Sequence, residues 1–132
     1  MSLETLPNTN AVAPSFSGPI RILAIDDDEY VLILIEAFLE AEGYLVTFAT
    51  NGRDGLAKFA AGAWDVVLTD RKMPEMSGEA VAGEIKRRSP QTPVILVTGF
   101  TPDLLDPNID AVLEKPFTPS SLACVVADVL RA

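Results

Sequence analysis

Ile20-Arg21-Ile22-Leu23-Ala24-Ile25, followed at once by Asp26-Asp27-Asp28, is the stretch that decides the fold. A strand with one wet face would alternate apolar and polar residues. This near-continuous apolar run reads instead as a strand buried on both faces. It stops abruptly at three carboxylates. The same grammar recurs downstream. Val66-Val67-Leu68 lies in an expected strand over Asp65–Thr69, next to Asp70. Val94-Ile95-Leu96-Val97 lies in Pro93–Thr98 and stops at Thr98-Gly99. Leu45–Ala49 and Ala111–Leu113 are shorter runs, and the second precedes Lys115-Pro116.

Helical segments fill the gaps. Glu29 to Glu42 is rich in helix formers and is closed by Gly43, a C-terminal stop signal. Arg53–Ala61 is short and amphipathic, closed by Gly62. Met73-Pro74 to Gly78 reads as a loop. Glu79–Arg88 then places acids first and bases last, in accord with the helix dipole. Thr118-Pro119 supplies an N-cap and a proline for the first helical position of a last helix reaching about Arg131. Residues 1–19 are rich in Asn, Thr, Ser, Ala and Pro with no apolar period, and read as a leader or linker. Residues 20–132 form the folded domain.

Five buried runs alternating with helices imply an α/β fold: a doubly wound, five-stranded parallel sheet with helices on both faces. Chemistry in such sheets gathers beyond the carboxyl ends of the strands. Asp26, Asp27 and Asp28 after the first run, Asp70 after the third, Thr98-Gly99 at the end of the fourth and Lys115-Pro116 after the fifth therefore converge on one crevice. Several carboxylates at one edge need protons or a cation. Hard oxygen donors with room for water suit Mg2+. A lysine opposite them suits a phosphoryl group, and the Thr98 hydroxyl with backbone N–H groups beside Gly99 can hold its remaining oxygens. The set fits a carboxylate that attacks phosphorus and becomes an acyl phosphate. Taken singly, each residue has a plain structural reading as a cap, turn or solvated side chain; the convergence is what counts.

Composition narrows the partners. A net charge of −9 argues against nucleic-acid binding and against docking on anionic lipid, both of which need a basic footprint. The single cysteine allows no intrachain disulfide. Cys124, among Leu122, Val125 and Val126, reads as a small core residue. No apolar run is long enough for a membrane span, and the start lacks a signal-peptide pattern, so a cytoplasmic location follows by elimination.

The segments Ile22–Asp28, Val66–Asp70 with Met73-Pro74 and Gly78, Val94–Gly99 and Lys115-Pro116-Phe117, in that order, resemble the response-regulator receiver domain of two-component signalling. The resemblance covers about residues 20–131. It implies a flavodoxin-like receiver that takes a phosphoryl group onto Asp70 from a phosphohistidine on a histidine kinase or histidine phosphotransfer protein. Such a domain changes its partner binding and is an autocatalytic acceptor, not a turnover enzyme. The resemblance further implies that Asp27 holds Mg2+ directly, Asp26 largely through water, and the Lys72 carbonyl as a further ligand beside Asp70. Thr98 would move its hydroxyl onto the phosphoryl group and Lys115 would pair with one of its oxygens. A cis Lys115–Pro116 bond is also implied.

Three positions depart from the family pattern. Lys72 stands where a neutral or smaller polar residue is common. Only 16 residues separate Thr98 from Lys115, with Pro102 and Pro107 bracketing a possible single turn, so the fourth helix is expected to be shortened. Val112 occupies the place of a frequent aromatic switch residue, which puts the usual threonine–aromatic coupling in doubt. A short fourth helix with Leu104-Leu105, after a Pro/Ser/Asn-rich leader, resembles the C-terminal receiver of a hybrid histidine kinase. No DNA-binding helix pair is expected within residues 20–132.

Two other readings stand beside this one. A pseudo-receiver would bind partners without phosphorylation. Asp26 and Asp28 also give the Asp-x-Asp of haloacid-dehalogenase-type phosphatases, although Tyr30 replaces their usual Thr or Val. On the first helix, positions 31, 34, 35 and 38 share a face and are expected to pack on the sheet. Leu32 and Ile33 would then be exposed and serve partner binding or self-association. Asp28 is expected to cap this helix rather than to bind metal.

Overall fold

The computed structural model of the chain describes residues 18–132. Apart from Gly18 and Pro19, the expected leader over residues 1–19 lies outside the described residues. The elements run β1 (Arg21–Ile25), α1 (Glu29–Glu40), β2 (Leu45–Ala49), α2 (Gly52–Ala61), β3 (Val66–Asp70), α3 (Gly78–Arg88), β4 (Val94–Thr98), β5 (Ala111–Glu114) and α4 (Pro119–Arg131). All strand pairs are parallel, in the order β2-β1-β3-β4-β5. The direction of strand succession reverses between β1 and β3, where a crevice opens beyond the carboxyl ends.

Neighbouring residues of each strand feed opposite faces, as the two-residue period of a strand requires. Ile22 and Ala24 join Leu68, Ile95 and Val97 under α1 and α4. Leu23 and Ile25 join Val67, Val94 and Leu96 under α2 and α3. This two-sided burial explains why the strands read as continuous apolar runs. Each helix begins on a side-chain cap: Asp28 accepts from the Tyr30 N–H at 3.0 Å, Asn51 from Asp54 at 2.7 Å and Ser77 from Ala80 at 3.1 Å. Thr118 and Ser121 form a reciprocal capping box on α4.

Three expectations change. The shortening between β4 and β5 goes to completion, because that segment carries no helix among the described residues. Pro102 lacks the N–H a helix needs, and Asp106 turns the chain by accepting from the N–H groups of Asn108 (2.8 Å, side chain) and Ile109 (3.0 Å, carbonyl). The α1 stripe is rotated. Leu32, Ile35 and Leu39 are the buried positions, with Val31 and Phe38 packed beside them. Leu32 is thus core, and only Ile33 of the expected exposed pair faces water. A run of five large apolar residues from Val31 to Ile35 hides the phase of the stripe, which the Asp28 cap and the sheet decide. Finally, Cys124 is exposed. It lies two positions from both Leu122 and Val126, the buried residues of α4, and at 3.6 residues per turn that puts it on the opposite face.

Candidate functional site: an acidic crevice at the strand ends

The register levels the ends of the central strands. Ile25 pairs with Thr69, Asp70 with Val97 and Thr98 with Glu114. The residues that follow therefore meet at one edge. Asp26 is buried, and its backbone N–H donates to the Ala49 carbonyl at 3.1 Å. One of its carboxylate oxygens accepts from the Asp28 N–H at 2.9 Å and the other from the Lys115 ammonium at 3.2 Å. The same ammonium reaches Asp70 at 3.2 Å. Asp27 is exposed at the rim, and each of Asp26, Asp27 and Asp70 offers a carboxylate oxygen within 4.8 Å of the others.

Lys115 is carried into place by the β5 end, where its N–H donates to the Thr98 carbonyl at 2.8 Å. The Lys115–Pro116 bond is cis, as the resemblance implied. The loop after Asp70 is pinned closely. The Gly78 N–H donates to the Arg71 carbonyl at 2.8 Å, and a Cβ on Gly78 would stand 2.2 Å from the Asp70 carbonyl oxygen. No larger residue fits there without moving the acceptor strand. Arg71 and Glu79 close the loop from outside with a half-buried ion pair of 2.8 Å.

Burial pushes the Asp26 carboxyl above the ordinary carboxylate value; the nearby Asp70 charge adds to this, while the Asp28 N–H and Lys115 oppose it. Burial likewise raises Asp70 against the pull of Lys115. Burial alone would lower Lys115, but the two carboxylates outweigh it and hold its ammonium above the ordinary lysine value. Three carboxylates against one ammonium leave excess negative charge, which protons or a cation must balance. Close-set hard oxygen donors of this kind fit Mg2+.

The other expected site residues are placed differently. Thr98 is buried, and its hydroxyl donates to the Phe100 carbonyl at 3.1 Å and accepts from the Phe100 N–H at 3.2 Å. That hydroxyl is engaged by the turn that follows, not by the side chains of Asp70 or Lys115. Gly99 is exposed in that turn with open space around it. Lys72 is exposed and forms no ion pair among the described residues. Sequence reasoning missed the Arg71–Glu79 pair, whose members lie eight residues apart across a loop with no periodic signal.

Comparison with known proteins matches residues 22–127 to the response regulator receiver domain model. The chain belongs to the response regulator receiver domain family. This receiver is 36% identical over 116 residues to the uncharacterised transcriptional regulatory protein YkoG of Bacillus subtilis, spanning 84% of this chain and 51% of YkoG. It is 33% identical over 131 residues to the autoinducer 1 sensor kinase/phosphatase LuxN of Vibrio harveyi, spanning 94% of this chain but 15% of LuxN. The receiver thus spans about half or less of these curated relatives. Among solved structures it is similar to the response regulator TrrA of Thermotoga maritima in complex with Mg2+-BeF. That likeness has a TM-score of 0.79 and 35% identity, and covers 84% of this chain and 99% of TrrA. Domains of this family serve two-component signalling, accept phosphoryl groups, bind Mg2+ at an acidic pocket and interact with histidine kinases or phosphotransfer proteins. Among the described residues no helix is long and apolar enough to cross a membrane.

Proposed function

We propose that this receiver takes a phosphoryl group from a phosphohistidine partner onto Asp70, with Mg2+ held by Asp26, Asp27, Asp70 and the Lys72 carbonyl. The observation that carries this reading is the single Lys115 ammonium, 3.2 Å from both Asp26 and Asp70, at a crevice shared by β1, β3 and β5. An Asp70 carboxylate oxygen forms the new bond to phosphorus while the phosphorus–nitrogen bond of the donor breaks. The electron pair of that bond returns to the imidazole nitrogen, and an aspartyl phosphate results. Mg2+ supplies charge neutralisation for the phosphoryl oxygens when bound. Lys115 pairs with one of those oxygens, and the Gly99 N–H and the Thr98 hydroxyl take others once the hydroxyl leaves Phe100. Positioning and neutralisation of charge are most of what this transfer requires.

The donor protein reaches Asp70 along α1, which begins beside the acidic triplet and exposes Tyr30, Ile33 and Ala37. The domain works in the cytoplasm, and the acidic chain offers no footprint for nucleic acid or anionic lipid. The test is incubation with acetyl phosphate and Mg2+, followed by intact-mass measurement. A receiver gains one phosphoryl group and holds it. Repeated turnover of acetyl phosphate without a retained adduct identifies a phosphatase. Neither adduct nor turnover identifies a pseudo-receiver.

A further inference from the structure

The loop that leaves the acceptor strand is gripped by the first two residues of α3. The Gly78 N–H donates to the Arg71 carbonyl at 2.8 Å, and the Glu79 carboxylate accepts from Arg71 Nε at 2.8 Å. Main chain and side chain of one residue are thus held by one helix end. Met73, two positions on, is buried in the core beneath α2 and α3. Pro74 follows it and disfavours the helical region for Met73, and the Pro74 carbonyl accepts from the Met76 N–H at 2.8 Å. Lys72 therefore sits between two anchored neighbours, although its own side chain is exposed. What the fold fixes at Lys72 is the backbone, not the ammonium.

The Arg71–Glu79 pair is suited to that task. Its side chains are 26% and 23% exposed, so solvent screens the attraction only in part. Pairs such as Glu84–Arg87 and Asp128–Arg131 lie within one helix and fix nothing beyond it. Arg71–Glu79 instead ties a loop to a helix, through a charge-assisted hydrogen bond of normal length. A ligand group that is already in place when a cation arrives loses little freedom on binding it. We infer that Arg71 and Glu79 are positioning residues for cation binding at the crevice. Together they fix the peptide that presents the Lys72 carbonyl, and neither touches the cation. This rests on the reading that Mg2+ is held by Asp26, Asp27, Asp70 and that carbonyl.

The test is a Mg2+ titration of the full chain followed by amide NMR, with no phosphodonor present. It compares the unsubstituted chain with Arg71→Gln, Glu79→Gln and the double variant. Charge and geometry make opposite demands here. Were the pair acting by charge alone, loss of the Arg71 cation would tighten Mg2+ binding and loss of the Glu79 carboxylate would weaken it. Positioning weakens binding in both, by about three- to tenfold. The double variant should then be no weaker than the weaker single, because the second substitution removes nothing that the first has left. Amide exchange without Mg2+ gives a second readout. The Gly78 N–H should exchange faster in each variant, while the Leu68 amide in β3 stays protected and verifies the fold. Opposite shifts in the two single variants overturn the inference. So do additive losses, equal Mg2+ affinity in all the chains, or unchanged Gly78 exchange. Absence of Mg2+ binding by the unsubstituted chain removes the reading of the crevice and the inference with it.

Discussion

Asp26, Asp27 and Asp28 are the same side chain three times in a row, in three different surroundings. Asp26 is buried on Lys115, Asp27 stands exposed at the rim, and Asp28 caps α1 through the Tyr30 N–H. Asparagine caps a helix about as well as aspartate. We therefore expect Asp28→Asn to keep most phosphorylation by acetyl phosphate, whereas Asp70→Asn abolishes it. Intact mass after a fixed incubation checks this, and equal loss in both variants refutes the assignment of Asp70. Lys72 belongs to the same scale. Its ammonium lies two residues from Asp70 and opposes a second cation at the crevice. Because the side chain is exposed and solvent screens it, we expect Mg2+ to bind only about two- to fivefold more tightly in Lys72→Asn. A Mg2+ titration showing equal or weaker binding in the variant contradicts this.

Helix α1 separates packing from recognition on one element. Leu32 is fully buried, and Leu32→Ala should cost about 2–5 kcal/mol of stability by chemical denaturation. Ile33, one residue on, is 55% exposed, and Tyr30 is more so. Tyr30→Glu combined with Ile33→Lys should leave stability within about 0.5 kcal/mol, as surface changes usually do. It should slow transfer from a phosphohistidine protein at least about tenfold while the acetyl phosphate reaction is unchanged. If both donors slow together, the face serves the site from within and is not a docking surface.

At the scale of the whole molecule, the acidic crevice is a local cost that the rest of the fold bears. Folding raises the carboxyl values of Asp26 and Asp70, so the folded state takes up protons there. The stability linked to this uptake is fully present below the unfolded aspartate value, about 3.9. It is lost as pH rises through the raised folded values. Without divalent cation, the melting temperature should therefore rise as pH is lowered from neutrality toward the ordinary aspartate range. Lys115 is raised as well, and its contribution is lost only above the ordinary lysine range. Adding Mg2+ at the higher pH should raise the melting temperature and flatten the dependence, because a bound cation replaces the protons. The Asp26→Asn, Asp70→Asn variant should lack most of the slope. Circular-dichroism melts across this range decide the matter: a flat profile for the unsubstituted chain contradicts it.

The sequence by itself determined the class of fold and the convergence of its acids. Apolar runs such as Val66–Leu68 announce strands buried on both faces, and polar residues that stop such runs must lie at the strand ends. Asp26, Asp70 and Lys115 were legible for that reason, since their positions follow from local pattern and parallel register alone. Other features waited for the tertiary structure. The phase of the α1 stripe was hidden because Val31–Ile35 is apolar all round, and only the sheet decides which of those residues it covers. The loop after β4 had too few residues and too many prolines for a helix, but its anchoring to Glu114 and its display of Phe100, Leu104 and Leu105 depend on where β5 ends. The Thr98 hydroxyl, expected to move onto a phosphoryl group, is held by both backbone groups of Phe100 in this structure. The Arg71–Glu79 pair and the tight fit of Gly78 on Asp70 join residues about eight apart across a loop. Such contacts have no period to read, because they depend on the distance between two packed elements and not on the order of residues within either.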